Sequence, residues 1–275
     1  MSTVLLRLEG PMQSWGLSQR GPNSAHRTTQ LRPTKSAVIG LVANALGRDY
    51  HDPIHDLAAL QFGVRIDRPG TVETDYHTSG SGYFPLLPGE VYTRPAWAHK
   101  AAAYAPGQPF DAPYLAPSDI NRDRNGVLSA KPGLTVITHD WYLADASFLA
   151  ALAGDQDLVD QIGTALAKPA RTLFLGRRAY LPSQPILAGI VSTPLIDALT
   201  DAPAAPGAGT ALHTWIEPDP RRPDSHGAVV AHDQPISYAG PGRRGARLEH
   251  HTIIEINPAA GFFTPDPQLN PEVTP

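Results

Sequence analysis

Residues 33–47, PTKSAVIGLVANALG, restrict the fold more than any other stretch, because they form an amphipathic helix with both ends marked. Val38, Leu41, Val42, Ala45 and Leu46 recur at i, i+3, i+4, i+7 and i+8, a spacing that stacks apolar side chains on one helical face. Pro33 bars helix upstream, Thr34 is suited to cap the first turn, and Gly47 supplies the left-handed residue that ends it. Ahead of the helix, Val4, Leu5, Leu6 and Leu8 make an apolar strand that runs into GPMQSW and a basic loop. Lys35 and Ser36 then fall in the first turn. A helix N-terminus presents unpaired N–H groups and partial positive charge, so this layout predicts a seat for an anion such as phosphate.

The same punctuation continues downstream. FGVRID places Phe62, Val64 and Ile66 on one face of a half-buried strand, and TVETDYHT follows as a second extended piece. WYLADASFLAAL (141–152) alternates as a strand. DQDLVDQIGTALAKPA predicts a second helix, with Leu158, Val159, Ile162, Ala165 and Leu166 on its apolar face, Asp155 as cap and Pro169 beyond its end. PILAGIV supplies a last strand. Strand, helix, strand, strand, helix, strand is the order of a ferredoxin-like (RRM-like) βαββαβ unit, so the expected class is α+β with a palm over residues 1–192. That architecture puts both helices on one face of an antiparallel sheet, and RNA-recognition folds of this kind use the remaining surface for single strands.

Two segments fall outside the pattern. Residues 79–138 are rich in proline, with Tyr83, Tyr92, Trp97, Tyr104 and Tyr114 interleaved, and read as a long insertion with little regular structure. Residues 193–258 read as a β-rich C-terminal lobe, entered through a flexible link, APAAPGAG at 202–209, and residues 259–275 as a tail.

Charge is unevenly distributed. The chain of 275 residues is net −4, yet residues 1–48 carry Arg7, Arg20, Arg27, Arg32, Lys35 and Arg48 against Glu9 alone. A second basic run, Lys168, Arg171, Arg177 and Arg178, has no acid between 168 and 182, and Gly176 within it allows close approach of the backbone to a phosphate. A net acidic chain does not coat nucleic acid indiscriminately, because sequence-independent affinity needs many phosphate contacts. A local basic cleft for one RNA segment is compatible with it. No cysteine is present, which excludes disulfides, thiolate zinc sites and a cysteine nucleophile. Arg7 and Glu9 interrupt the first apolar run, so a signal peptide or membrane span is not expected there, and a cytoplasmic protein with no membrane partner is.

Five segments carry a resemblance: RLEGPMQSWG at 7–16, LRPTKSAVIGLVANALG at 31–47, DYHT at 75–78, WYLADASFLAAL at 141–152 and LFLGRRAYLPSQPILAG at 173–189. Together and in this order they resemble the CasD-type subunits of type I-E Cascade, in the repeat-associated RNA-binding superfamily of CRISPR systems. The resemblance implies a subunit that holds the 5′ handle of a mature crRNA and anchors the end of the complex beside the large subunit. It implies the backbone and large subunits as partners, and contact with target DNA only through the assembled complex. The insertion at 79–138 would correspond to that family's thumb, and RTLFLGRRAY to the glycine-rich loop of the superfamily.

On this reading Arg27, Arg32, Lys35, Ser36, Arg171, Gly176, Arg177 and Arg178 meet phosphates, and Met12, Gln13 and Trp15 border the edge where bases pack. Tyr76, His77, Arg94 and Trp97 would be contacts from the thumb side. No cofactor and no metal are expected: His51 and His55 are separated by Pro53, which breaks the helix that would align them. Two other readings stay open. One is a metal-independent endoribonuclease, as in the type I-C relatives, drawing a general base and a cation from Tyr50, Tyr76, His77, His99 and Lys100. The other is a purely structural assembly subunit whose basic clusters face acidic partners.

Overall fold

The computed structural model describes residues 2–16, 26–79, 120–122, 128–130, 136–219, 226–239 and 242–256. Its strands in chain order are β1 (Ser2–Glu9), β2 (Met12–Gln13), β3 (His26–Arg27), β4 (Gln61–Arg68), β5 (Thr71–Ser79), β6 (Ile120–Arg122), β7 (Leu128–Ala130), β8 (Val136–Ala144), β9 (Ser147–Gly154), β10 (Leu187–Val191), β11 (Ala211–Ile216), β12 (Val229–Ser237) and β13 (Arg243–Glu255). The described helices are α1 (Lys35–Ala45), α2 (His55–Ala58), α3 (Gln156–Ala167) and α4 (Leu195–Asp201). None of them is long and apolar enough to cross a membrane. The result is a mixed, mostly antiparallel α/β structure.

One seven-stranded sheet runs in the order β10-β1-β9-β4-β11-β13-β12. Its centre is buried on both faces. Val4, Leu6 and Leu8 of β1 with Phe148, Ala150 and Leu152 of β9 pack under α1 and α3, against Val38, Ile39, Val42, Val159, Ile162 and Leu166. Leu5, Leu149, Ala151 and Ala153 point the other way and pack against Leu195, Ala198 and Leu199 of α4. The face that RNA-recognition folds leave open is therefore covered here by α4 over β1, β4 and β9. Gly63 admits the helix, since a Cβ there would fall 2.6 Å from Leu195 and 2.9 Å from Leu199.

Both long helices end as their sequences dictate. Thr34 caps α1 by accepting from the Ala37 N–H, Asp155 caps α3 by accepting from the Asp157 N–H, and Gly47 takes φ +75°. Three expectations are corrected. Residues 141–152 are two strands rather than one, because Asp145 adopts φ +53°, a left-handed conformation that Asp tolerates, and turns β8 into β9. Strand β4 is buried on both faces, with Arg65, 0% exposed, held by Asp67 at 2.7 Å. Residues 202–209 are no free link: the Pro203 carbonyl accepts from Arg7 and Arg65, the Pro206 carbonyl from Arg68, and the Ala205 N–H donates to Asp67 at 2.8 Å. Backbone carbonyls of this loop accept from guanidinium donors and so are tied to the sheet.

In the region expected as a separate C-terminal lobe, β11 pairs with β4 and β13 with β11, so these strands extend the same sheet. The chain divides into two compact units, Met1–Asp75 with Trp141–Pro275, and Tyr76–Asp140. Within the second unit, β6 and β7 form a hairpin pairing Ile120 with Ala130, and the Tyr76 ring lies 5.3 Å from that of His139, edge to face.

Candidate RNA-binding cleft

A cleft of about 380 Å³ opens beside the first two turns of α1, between the Gly176 loop and the β12–β13 hairpin. Arg27, Ser36, Gly176, Arg177, Tyr238 and Arg244 line it over a floor that includes Leu41 and Phe174. The loop wall depends on Gly176. Its φ is +90°, and a Cβ on it would fall 1.7 Å from the Ser14 carbonyl oxygen, so no other residue fits without moving the backbone. Ser14 N–H donates to the Leu175 carbonyl at 3.0 Å, which ties the loop to the segment leaving β2. Arg177 is fixed as well: its guanidinium donates to the Tyr180 hydroxyl at 2.7 Å and to the Trp141 carbonyl at 2.9 Å.

On the opposite wall, Arg244 Nε donates to Ser36 Oγ at 3.0 Å, and the Tyr238 hydroxyl donates to the Ser36 carbonyl. Gly40 makes room for that ring, since a Cβ there would meet the Tyr238 oxygen at 3.3 Å. Burial pushes the Tyr238 hydroxyl up to about 12, against the opposing pull of the Ser36 side chain and the Arg244 charge. Among the described lining residues, then, the ionisable groups are three arginines and a phenol that stays neutral near pH 7.

The anion seat expected at the start of α1 is already filled from within the protein. The Lys35 N–H donates to Asp233 at 2.7 Å, and its ammonium, on a residue 3% exposed, contacts Glu217 at 2.9 Å. Asp233 also binds Arg247 at 2.5 Å, Arg247 donates to Glu249 at 2.8 Å, and Glu249 takes Arg32, whose guanidinium lies 4.4 Å from the centroid of the Trp215 ring. Burial pushes Lys35 down and Glu217 up, while each partner's charge pulls it back toward ionisation. Three cations and three carboxylates close on themselves here, so Arg32 and Lys35 are withdrawn from the cleft.

The other sequence-predicted residues are dispersed. Trp15, 1% exposed, belongs to the core, and Gln13 is buried with its Nε2 on the Ala146 carbonyl at 2.7 Å. Met12 packs partly buried against the same core. Arg171 reaches past the end of α1 to Asp49 at 2.6 Å, and Arg178 stands exposed beside Arg177. Tyr50 is exposed with its ring on His51, and Tyr76, 57% exposed, and His77 belong to the unit Tyr76–Asp140. Arg94, Trp97, His99 and Lys100 lie outside the described residues. Tyr238 and Arg244 were not anticipated. The signal was GPGRRG at 240–245, which lacks the strand-to-helix setting of a phosphate loop and so offers nothing as a motif.

Comparison with known proteins agrees with the segments singled out in the sequence. The family model described as "CRISPR-associated protein (Cas_Cas5)" matches residues 3–249. The curated "CRISPR system Cascade subunit CasD" of Escherichia coli (strain K12) is 28% identical over 194 residues, spanning 68% of this chain and 70% of its own. A solved chain described as "CRISPR RNA-guided surveillance complex" superposes with a TM-score of 0.64 at 28% identity, covering 92% of this chain and 90% of that one. A second, "Crystal structure of Cas protein", gives a TM-score of 0.59 at 29% identity, covering 93% and 99%.

Proposed function

The chain belongs to the CRISPR-associated Cas5 family, and we propose that it is a non-catalytic RNA-binding subunit of a type I-E Cascade complex, holding the 5′ handle of the mature crRNA. In this reading its palm is ferredoxin-like. The run β10-β1-β9-β4 supports that, being the 4-1-3-2 order of a βαββαβ unit with α1 and α3 on one face. The subunit anchors the end of the complex next to the large subunit, adjoins the backbone subunit, and meets target DNA only through the assembly. The relatives' descriptions as a Cascade subunit and as part of an RNA-guided complex support those partners.

The observation that carries the proposal is the convergence of Arg27, Arg177 and Arg244 on one cleft beside the exposed Gly176 backbone. Guanidinium groups bind phosphate oxygens through paired N–H donors, and a glycine backbone lets a strand approach. The described lining favours binding over cleavage: abstracting a 2′-hydroxyl proton needs a base near neutrality, and neither arginine nor a phenol held near 12 is one.

The test is incubation of the purified protein with a single-repeat RNA without divalent metal, scoring retention and cleavage across a salt series. We expect retention of uncut RNA that weakens as salt rises, and a drop of about tenfold or more with Arg177→Glu. Specific cleavage would make the chain the processing endoribonuclease. Unchanged RNA affinity with failed complex assembly in Arg177→Glu would make it a structural subunit.

A further inference from the structure

We propose that the cleft beside α1 holds one base of the bound strand, stacked on Phe174 and read at its edge by Asn44. This rests on the RNA-binding reading above and names what that site takes, an unpaired nucleotide presented base first. Phe174 carries the first line of argument. Leu173 and Leu175 on either side of it belong to the core, whereas Phe174 is partly exposed, lies outside both core clusters and lines the cleft. Its ring has no aromatic partner among the described residues. An unpaired base covers such a ring with a flat π face of its own. From α1 the cleft takes Ala37, Gly40, Leu41 and Asn44, at i, i+3, i+4 and i+7 on one helical face, small or apolar until the last. A volume of about 380 Å³, near the low end of the roughly 300–1,000 Å³ usual for ligand sites, suits one nucleotide and not a duplex.

Asn44 supplies the polar edge. Its Nδ2 donates to the Thr172 carbonyl at 2.9 Å, a bond that only the amide nitrogen can make, so the amide is oriented and Oδ1 is left without a partner among the described residues. An acceptor lining the same cleft as an aromatic ring selects a base with an exocyclic amino group, which adenine, cytosine and guanine carry and uracil lacks. An apolar side chain from a protein partner would cover Phe174 but leave Oδ1 desolvated and unpaired. The ring is also set before a ligand arrives. Ahead of it, the Asn44 bond to Thr172 and the Ala170 N–H on the Ala45 carbonyl at 2.9 Å tie the chain to α1. Behind it, the Leu175 N–H donates to the Tyr180 carbonyl at 2.7 Å and the Leu175 carbonyl accepts from the Ser14 N–H at 3.0 Å. Little freedom remains to be lost on stacking.

The experiment measures affinity of the full chain for a single-repeat RNA in which each nucleotide of the 5′ handle in turn is made abasic, a change that removes a base and keeps its phosphate. One position should stand out, with binding weakened about five- to a hundredfold. In Phe174→Ala that position should lose its effect, and Phe174→Trp should restore it. The salt dependence of binding should match wild type in both variants, since no phosphate contact is lost. At the same position uracil should bind about two- to tenfold more weakly than cytosine, and Asn44→Ala should level the two. Wild-type binding with no abasic-sensitive position, or a sensitivity that survives Phe174→Ala, would overturn the base pocket and leave the RNA reading standing. Unchanged RNA affinity in Phe174→Ala with lost assembly into the complex would overturn it too, and give the ring to a protein partner. Absence of RNA binding by the wild type would overturn both.

Discussion

At the start of α1, Lys35 meets Glu217 at 2.9 Å and Arg32 meets Glu249, so two cations from the basic N-terminal segment close against carboxylates of β13 and of the residue after β11. Across the cleft, Arg177 donates to a tyrosine hydroxyl and a backbone carbonyl, neutral groups that orient its guanidinium. Both regions are basic stretches beside a helix start or a glycine turn. What separates them is the chemistry of the partner: a carboxylate consumes the charge, whereas a hydroxyl or carbonyl only aims it. Lys35 and Arg32 therefore contribute to stability, and under the proposed function Arg177 is the one aimed at a ligand.

The largest effect that could break this contrast comes from Glu217→Ala. It leaves the Lys35 ammonium buried without its carboxylate and orphans the Phe62 N–H, which donates to Glu217 at 2.9 Å. The expected loss is about 3–5 kcal/mol in urea unfolding, and Lys35→Met with Glu217→Gln should recover most of it. RNA affinity of that double variant, measured while it is folded, should stay near wild type. A reduced salt slope in the double variant would show that Lys35 touches phosphate after all.

Gly176→Ala is the next test, and Gly47→Ala is its partner. Both glycines have positive φ, +90° and +75°, so each alanine costs backbone strain of about 1–3 kcal/mol. At Gly176 the new methyl also collides with the Ser14 carbonyl, whereas at Gly47 it meets Ala170 Cβ at 3.0 Å. Gly176→Ala should lose RNA affinity together with stability, and Gly47→Ala stability alone. Equal RNA affinity in the two folded variants would remove the Gly176 loop from the site.

Local chemistry made much of this fold legible. Thr34, Gly47, Asp155 and Pro169 each act through neighbours in sequence, and so the two main helices are where their caps put them. Charge pairing is not local. Glu217 lies 182 residues from Lys35 and Glu249 217 residues from Arg32, the cations they meet, and no run of residues near Arg32 or Lys35 announces them. For the same reason α4, seven residues behind Pro194, is obscure in a Pro- and Ala-rich stretch until β1, β4 and β9 offer it an apolar face. The Gly176–Arg177 loop was readable because its geometry is set by its own glycine, and Arg244 was not because only the β12–β13 hairpin brings it to Ser36.

The smallest expected effect lies where the two regions meet. Tyr238 belongs to the hairpin that carries Asp233, yet its hydroxyl reaches Ser36 in the cleft. Tyr238→Phe removes one buried hydrogen bond and should cost about 0.5–1.5 kcal/mol between pH 7 and 9. The sign of the pH dependence follows from the raised folded-state value. Below pH 10 the hydroxyl is protonated in folded and unfolded chains alike, and its contribution is complete. Between the unfolded value of 10.0 and the folded value of about 12, the unfolded chain releases the proton first, so wild-type stability falls as pH rises through that window. Two pH units correspond to about 2–3 kcal/mol. The phenylalanine variant has no such proton, so the gap between it and wild type should shrink above pH 10 and reverse before pH 12, because every other titration is common to both chains. A gap that stays constant from pH 8 to pH 12 would mean that the phenol is solvated, that the hairpin does not rest on Ser36, and that Arg244 is not held at the cleft by it.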